Sequence, residues 1–238
     1  MIELSLPGGR SAEVGSVGPE DGEPVLYFHS PSTSGEELGA AASAATQLRL
    51  RILTVRRPSL QCDEPDRFVA TVAEDAASVA ELLALRRPVV MGWSGGAPYA
   101  LAMSARPGFE AASVVLVSPL PGPLTGPDAV PDQSARLREV ANTTSNSSWA
   151  SGPSTLRDYQ AVAAPWPFDA SSITRPVTIW APVEDQIVPL HLAGHLARSL
   201  PSCEIVEVPG AHDWLIENWE TVLKRIRDGT VLADWEVG

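Results

Sequence analysis

Short apolar runs alternate along the chain with segments whose apolar residues recur at helical spacing. The runs have the length of buried strands. They predict eight strands, at Ile2–Leu6, Ser11–Val17, Pro24–His29, Arg51–Val55, Pro88–Trp93, Ala112–Ser118, Pro176–Ala181 and Glu204–Val208. Helical spacing predicts five helices, at Glu36–Leu48, Arg67–Leu85, Ala97–Ala105, Pro189–Leu200 and Trp214–Ile226. Strands that alternate with helices are typical of a largely parallel sheet covered by helices.

The alternation stops between residues 119 and 172. This stretch is rich in Pro, Gly, Ser, Thr and Asn, and only Ser134–Ala141 and Ser154–Ala164 have helical character. A plain loop of this length is uncommon in a compact domain. We therefore expect residues 1–118 and 173–238 to form one α/β core, with 119–172 inserted as a cap over a site.

The length and net charge of the chain limit the kinds of binding partner that we expect. The chain has 238 residues, enough for one such domain, and a net charge of −12. A phosphate surface would repel this charge, so we expect neither nucleic acid nor a membrane as partner. The first residues lack the pattern of a secretory signal, and the two cysteines, Cys62 and Cys203, lie far apart. We expect a cytoplasmic protein that binds a small molecule, and we leave homodimer formation open.

The candidate nucleophile is Ser94. Gly92-Trp93-Ser94-Gly95-Gly96 matches G-x-S-x-G, follows an apolar strand and opens a helix. A sharp strand-to-helix turn of this kind exposes the serine hydroxyl, and small flanking residues allow the close approach of strand and helix. The bare pattern is common by chance, but the strand–turn–helix context makes it specific.

A serine hydroxyl needs a base to take its proton, and the base needs an acid to orient it. His212 follows the last predicted strand, and Asp185 follows the strand Pro176–Ala181. Both loops lie at the carboxyl edge of a parallel sheet, where α/β folds bind ligands. The order Ser, Asp, His is the one expected for a G-x-S-x-G hydrolase. Glu184 is the close rival of Asp185.

These motifs resemble those of the α/β-hydrolase superfamily, in the group of capped serine esterases and proline-iminopeptidase-like enzymes. Gly92–Gly96 resembles the nucleophile elbow, Glu184–Pro189 (EDQIVP) the acid segment, and Pro209–Trp214 (PGAHDW) the base segment. Leu26–His29 resembles the strand before the oxyanion loop, and Pro165–Asp169 the return from cap to core. The resemblance spans Ile2 to about Ile226 and implies an α/β-hydrolase fold with a small cap. It favours Asp185 over Glu184, and it implies neither cofactor nor metal.

The oxyanion loop departs from that family. The usual sequence is H-G-x-P-G, and the residue after H-G donates an N–H, whereas this chain has His29-Ser30-Pro31-Ser32. In that register Pro31 occupies the donor position without an N–H. We expect Gly95 to supply one donor, and Ser30 or Ser32 the second. Arg56-Arg57-Pro58-Ser59 also differs from the family's acidic D-R-P-G turn, so we expect that loop to be built differently.

Three tryptophans are candidates for substrate binding: Trp93, Trp149 and Trp166. Simple packing of cap on core is an equal alternative for Trp149 and Trp166. His191 and His195 have the i, i+4 spacing of a metal pair, but no third ligand accompanies them and they lie off the apolar stripe of their helix. We interpret them as residues of a solvated helix face.

The function that we expect is a serine hydrolase that cleaves an acyl bond in a small molecule. We favour a carboxylic ester and leave amide, thioester and lactone open. The serine argues against epoxide hydrolase and dehalogenase chemistry, for which the resemblance implies an aspartate at that position. Pro31 keeps an alternative open, an isomerase, cyclase or lyase with His212 as general base. A second alternative is a ligand-binding protein with a vestigial site.

Overall fold

The sheet that the sequence predicts is present. The computed structural model describes residues 1–31, 33, 35–57, 65–121, 158, 161–162 and 164–235, of which 65–67 and 230–235 are described by their backbone alone. The strands are β1 (Ile2–Ser5), β2 (Ser11–Val17), β3 (Glu23–Phe28), β4 (Leu50–Val55), β5 (Val89–Trp93), β6 (Val114–Val117), β7 (Val177–Pro182) and β8 (Cys203–Val208). Each agrees with its predicted range to within two residues at either end.

The strand order in the sheet is β1-β2-β4-β3-β5-β6-β7-β8. β3 to β8 run parallel, whereas β1 and β2 form an antiparallel hairpin whose second strand pairs antiparallel with β4. The carboxyl ends of β3 to β8 therefore meet at one edge. β6 lies between β5 and β7, which places the loop after β6 among the loops that follow the other strands.

Helices cover both faces of this sheet. The described helices of eight or more residues are α1 (Leu38–Gln47), α2 (Pro65–Leu82), α3 (Ala97–Ser104), α4 (Leu190–Arg198) and α5 (Trp214–Trp235). α1 and α5 pack on one face, and α2, α3 and α4 on the other, each through its own buried apolar cluster. No helix in the described ranges combines the length and apolar character needed to cross a membrane.

The last helix is longer than predicted. α5 continues to Trp235, nine residues beyond the expected end at Ile226. This stretch contains no proline, and its one glycine, Gly229, costs a helix only about 1 kcal/mol relative to alanine. The predicted cap, residues 119–172, lies mostly outside the described residues and stays a prediction, as do its helical pieces.

The end of α2 stores backbone strain that a substitution should relieve. Ala84 has φ 50°, and the Leu85 and Ala84 amides donate to the carbonyls of Ala80 and Glu81. This is a Schellman ending with alanine in the left-handed position that favours glycine. Ala84→Gly should raise the free energy of unfolding by up to about 1 kcal/mol. Urea unfolding measures it.

The control is Ala70→Gly inside α2, where glycine should lower the free energy of unfolding by about 1 kcal/mol. Equal losses at both positions would contradict the strain at Ala84.

Candidate active site

Ser94 is held in a strained turn directly after β5. Its φ is 53°, and Ser94–Gly96 form one turn of 3-10 helix before α3. A β-carbon on Gly96 would fall on the carbonyl group of Phe28, and one on Gly92 would lie 2.8 Å from the Ala97 α-carbon. Gly92 therefore lets α3 approach β5, and Gly96 lets the turn pack against the end of β3.

The structure brings together the three residues expected to form a triad. Ser94 Oγ lies 2.8 Å from His212 Nε2, and His212 Nδ1 lies 2.8 Å from Asp185 Oδ2. A carboxylate only accepts hydrogen bonds, so the proton between His212 and Asp185 belongs to Nδ1. Nε2 then carries the lone pair that accepts from the Ser94 hydroxyl. A nucleophile, its base and an orienting acid would make this series of contacts.

Asp185, and not Glu184, faces the imidazole. The Asp185 side chain is fully buried, and its Oδ1 accepts from the amides of Ile187 and Val188 at 2.9 and 2.8 Å. These two bonds fix the carboxylate and leave Oδ2 for His212. Glu184 is exposed, and its amide donates to the Gly210 carbonyl, which ties the acid loop to the base loop.

Two side chains hold the backbone of the base loop. The Trp93 indole N–H and the Ser118 hydroxyl donate to the His212 carbonyl oxygen, at 3.3 and 3.5 Å. Ser118 follows β6, the strand between those that lead to the nucleophile and the acid. The imidazole itself is 17% exposed, whereas Ser94 is 2% exposed. His212 is therefore held through its backbone carbonyl, while part of its imidazole ring stays exposed.

The tryptophans expected to bind substrate lie in different surroundings. Trp93 is buried in the cluster between the sheet and α1 and α5, so its described contacts are with the core and with His212. Trp166 is half-buried, stacks on Phe168 with ring centres 4.9 Å apart, and packs against the opposite cluster. Trp149 lies outside the described residues.

The oxyanion loop is packed tightly against the elbow. A β-carbon on Gly95 would lie 2.5 Å from Pro31 Cδ, so the proline ring sits directly over this glycine. The Thr33 amide donates to the Ser30 carbonyl at 3.1 Å and closes a turn around Pro31. Ser30 is buried, and Ser32 lies outside the described residues. Pro31 thus occupies the loop beside Gly95, as the sequence register predicts.

A buried ion pair adjoins this loop. Arg57 Nε donates to Asp158 Oδ2 at 2.6 Å, and the Tyr99 hydroxyl donates to Asp158 Oδ1 at 3.2 Å. Burial raises the pKa of Asp158, against the opposing charge of Arg57. Burial also acts to lower the pKa of Arg57, but the charge of Asp158 reverses this and leaves the pKa of Arg57 raised. Arg57 therefore keeps its proton.

Arg57 also reaches the strand end that carries His29. Nη1 donates to the His29 carbonyl at 2.7 Å, and Nη2 lies 2.9 Å from the Ser30 carbonyl and 3.0 Å from His29 Nδ1. Burial and the nearby Arg57 charge lower the pKa of His29 well below its usual value, so the ring is neutral. The sequence singled out Arg57 only through the departure at Arg56-Arg57-Pro58-Ser59, and no motif pairs it with Asp158. The available signal was an arginine pair directly after β4, at the same edge as the triad.

The other sequence candidates lie elsewhere. His191 is exposed on α4, and His195 is half-exposed with Arg198 3.5 Å from its ring. Within the described ranges, no group of three or more His, Cys, Asp or Glu residues is placed to hold a metal ion. An open groove of about 1110 Å³ lies at the opposite, amino edge of the sheet, near Arg87, Ser113 and Pro176, away from the triad.

Comparison with solved structures identifies the architecture. The enol-lactonase from Burkholderia xenovorans LB400 has a TM-score of 0.74 at 14% identity, over 97% of this chain and 100% of the other. An esterase from Exiguobacterium antarcticum has a TM-score of 0.75 at 16% identity, over 94% and 97% of the two chains. This chain has the α/β-hydrolase fold.

A thermophilic esterase from Thermogutta terrifontis is a further α/β-hydrolase neighbour, with a TM-score of 0.70 at 18% identity over 95% of this chain and 96% of the other. No protein-family model and no curated protein matches the chain. These TM-scores and coverages establish the α/β-hydrolase fold. Identities of 14–18% do not establish the reaction, which has to be argued from the site itself.

The packing of Pro31 on Gly95 yields a prediction about stability. Gly95→Ala should lower the free energy of unfolding by about 1–3 kcal/mol, because the added methyl group meets the proline ring. In a Pro31→Ala background the same change should cost less, with a coupling energy of about 1 kcal/mol. Urea unfolding of both single variants and the double variant gives this cycle. Strictly additive losses would exclude the contact.

Proposed function

We propose that this protein is a serine hydrolase that cleaves an acyl bond in a small-molecule substrate, most readily a carboxylic ester. The observation that carries the proposal is the 2.8 Å contact of Ser94 Oγ with His212 Nε2, with Asp185 on the other ring nitrogen. Solved structures of the same fold are named esterases, carboxylesterases and an enol-lactonase, which supports an ester over an amide.

The acylation step follows from the triad geometry. Ser94 Oγ attacks the substrate carbonyl carbon while His212 Nε2 takes the hydroxyl proton. Asp185 holds Nδ1–H and stabilises the imidazolium that forms. His212 then gives the proton to the leaving alkoxide, and the acyl group remains on Ser94. In deacylation His212 takes a proton from water, the hydroxide attacks the acyl carbon, and Ser94 leaves with the proton returned. These steps require no cofactor.

The developing negative charge on the carbonyl oxygen needs hydrogen-bond donors. We propose the Gly95 N–H as one donor and a group of Ser30 or Ser32 as the second. The Thr33 amide already donates to the Ser30 carbonyl, so it is not the second donor. Removal of one donor costs a hydrolase roughly a hundred- to thousand-fold in rate.

Pro31 supports a second candidate function, a proton-transfer enzyme on the same scaffold. The proline ring lies over Gly95 and offers no N–H. Proton transfer by His212 depends less on an oxyanion hole than acyl transfer does. A vestigial binding site is less well supported, because it has no need of three aligned side chains and two amides on Asp185.

Covalent labelling should separate these functions. A fluorophosphonate probe should label the protein, and short-chain nitrophenyl esters should be turned over, because Ser94 is paired with its base. Ser94→Ala should abolish both, whereas Ser78→Ala, at a partly exposed serine of α2 whose hydroxyl donates to the Glu74 carbonyl, should retain both. Mass spectrometry of the adduct locates the site. Absence of labelling and of ester turnover in the folded wild-type protein would refute the hydrolase and favour the proton-transfer alternative.

The acid can be tested with a matched pair. Asp185→Asn should lower kcat by roughly 10³- to 10⁴-fold with little change in KM, because the amide N–H opposes Nδ1–H and favours the wrong tautomer of His212. Glu184→Gln should leave both constants near the wild-type values, since Glu184 is exposed. Ester kinetics measure both variants. A larger loss in Glu184→Gln than in Asp185→Asn would assign the acid to the neighbouring residue.

A further inference from the structure

Arg57 is buried with every nitrogen of its guanidinium engaged. The side chain is 4% exposed. Nε contacts Asp158, Nη1 contacts the His29 carbonyl, and Nη2 contacts the Ser30 carbonyl and His29 Nδ1. The guanidinium also lies 5.0 Å from the centre of the Tyr99 ring. Burying a charge costs several kcal/mol unless hydrogen bonds and a counterion compensate it, and here they do.

Two of the acceptors of Arg57 are the carbonyls of His29 and Ser30, which directly precede Pro31. β3 and β4 are adjacent parallel strands, so the residues after β4 reach the residues after β3 at the same edge of the sheet. The fixed fork of the guanidinium binds both carbonyls at once, which sets the orientation of two successive peptide planes. Lysine, with a single ammonium group, does not reproduce this geometry.

His29 shares an acceptor with Arg57. Its Nδ1 lies 2.9 Å from the Ser30 carbonyl oxygen and 3.0 Å from Arg57 Nη2, which donates to the same oxygen. Nε2 has no hydrogen-bond partner among the described residues. The ring is neutral and so adds no second positive charge beside Arg57.

We propose that Arg57 is the positioning residue of the oxyanion loop, with Asp158 as the counterion that holds it. The inference rests on the proposed hydrolase function. Because Pro31 provides no N–H, the second oxyanion donor depends on the orientation of the peptides around it. Arg57 fixes that orientation through its hydrogen bonds to the His29 and Ser30 carbonyls, while the Pro31 ring packs against Gly95.

Asp158 joins this loop to the segment predicted as the cap. It lies 101 residues from Arg57 along the chain, and its two carboxylate oxygens accept from Arg57 and from Tyr99. Tyr99 belongs to α3, the helix that follows the elbow. The placement of Asp158 thus determines the placement of the guanidinium, and through it that of the His29 and Ser30 carbonyls.

The experiment compares neighbouring arginines. Arg57→Lys should lower kcat for a nitrophenyl ester by about 10- to 100-fold with KM within about twofold, because a small displacement of the oxyanion donors suffices for such a loss. The affinity of an aryl boronic acid, which forms a tetrahedral adduct with the serine, should fall by a similar factor. Arg56→Lys is the control, since Arg56 makes a surface pair with Glu13 and should change neither value.

Asp158→Asn provides a second variant if Arg57→Lys does not fold, as judged by circular dichroism. It should reduce kcat in the same direction but by less, and the double variant should lose less than the product of the two factors. Folded variants with wild-type kcat and boronic acid affinity, or with a lower Tm alone, would overturn the inference. Absence of ester turnover and labelling in the wild-type protein would instead refute the proposed function on which it rests.

Discussion

The close approach of β5, α3 and the end of β3 is the constraint on which the site depends. A side chain on Gly96 would meet the backbone of Phe28 and His29, and one on Gly92 would meet the start of α3. Only glycine at both positions lets the chain turn within three residues and hold Ser94 at φ 53°. A non-glycine residue in this conformation costs roughly 1–2 kcal/mol. The fully buried strand β5 and the buried helix α3 offset this cost on either side.

The same edge of the sheet also contains a buried positive charge, which needs a counterion. Arg57 and Asp158 are both buried, and neither would be stable there without the other. The pair differs from the triad in one physical respect. Asp185 receives two backbone amides and so is held by its own loop, whereas Asp158 is held by Arg57 and Tyr99, from two other parts of the chain. Asp185 is thus held by local contacts, whereas the loop around Pro31 is held by long-range contacts.

This difference explains how much the sequence could predict. Apolar runs located the strands. Ser94 directly follows β5, and Asp185 and His212 lie in the loops after β7 and β8, so local patterns placed all three at one edge. Trp93 was predicted to bind substrate; it alternates along β5 with Met91 and so lies on the side of that strand that packs against α1 and α5. Strand periodicity would have indicated this. The pairing of Arg57 with Asp158 has no local signature, because it joins two loops that only the folded chain brings together.

The charge balance of that pair decides how it acts on the oxyanion loop. Asp158 lies 2.6 Å from Arg57, so at larger distances the two opposite charges nearly cancel and leave little net field. The influence of Arg57 on the loop is therefore carried by its directional hydrogen bonds to the His29 and Ser30 carbonyls. The Ser30 carbonyl also accepts from the Thr33 amide and lies 2.9 Å from His29 Nδ1, which leaves this peptide little freedom to rotate. Pro31 thus follows a carbonyl that several hydrogen bonds hold in one orientation.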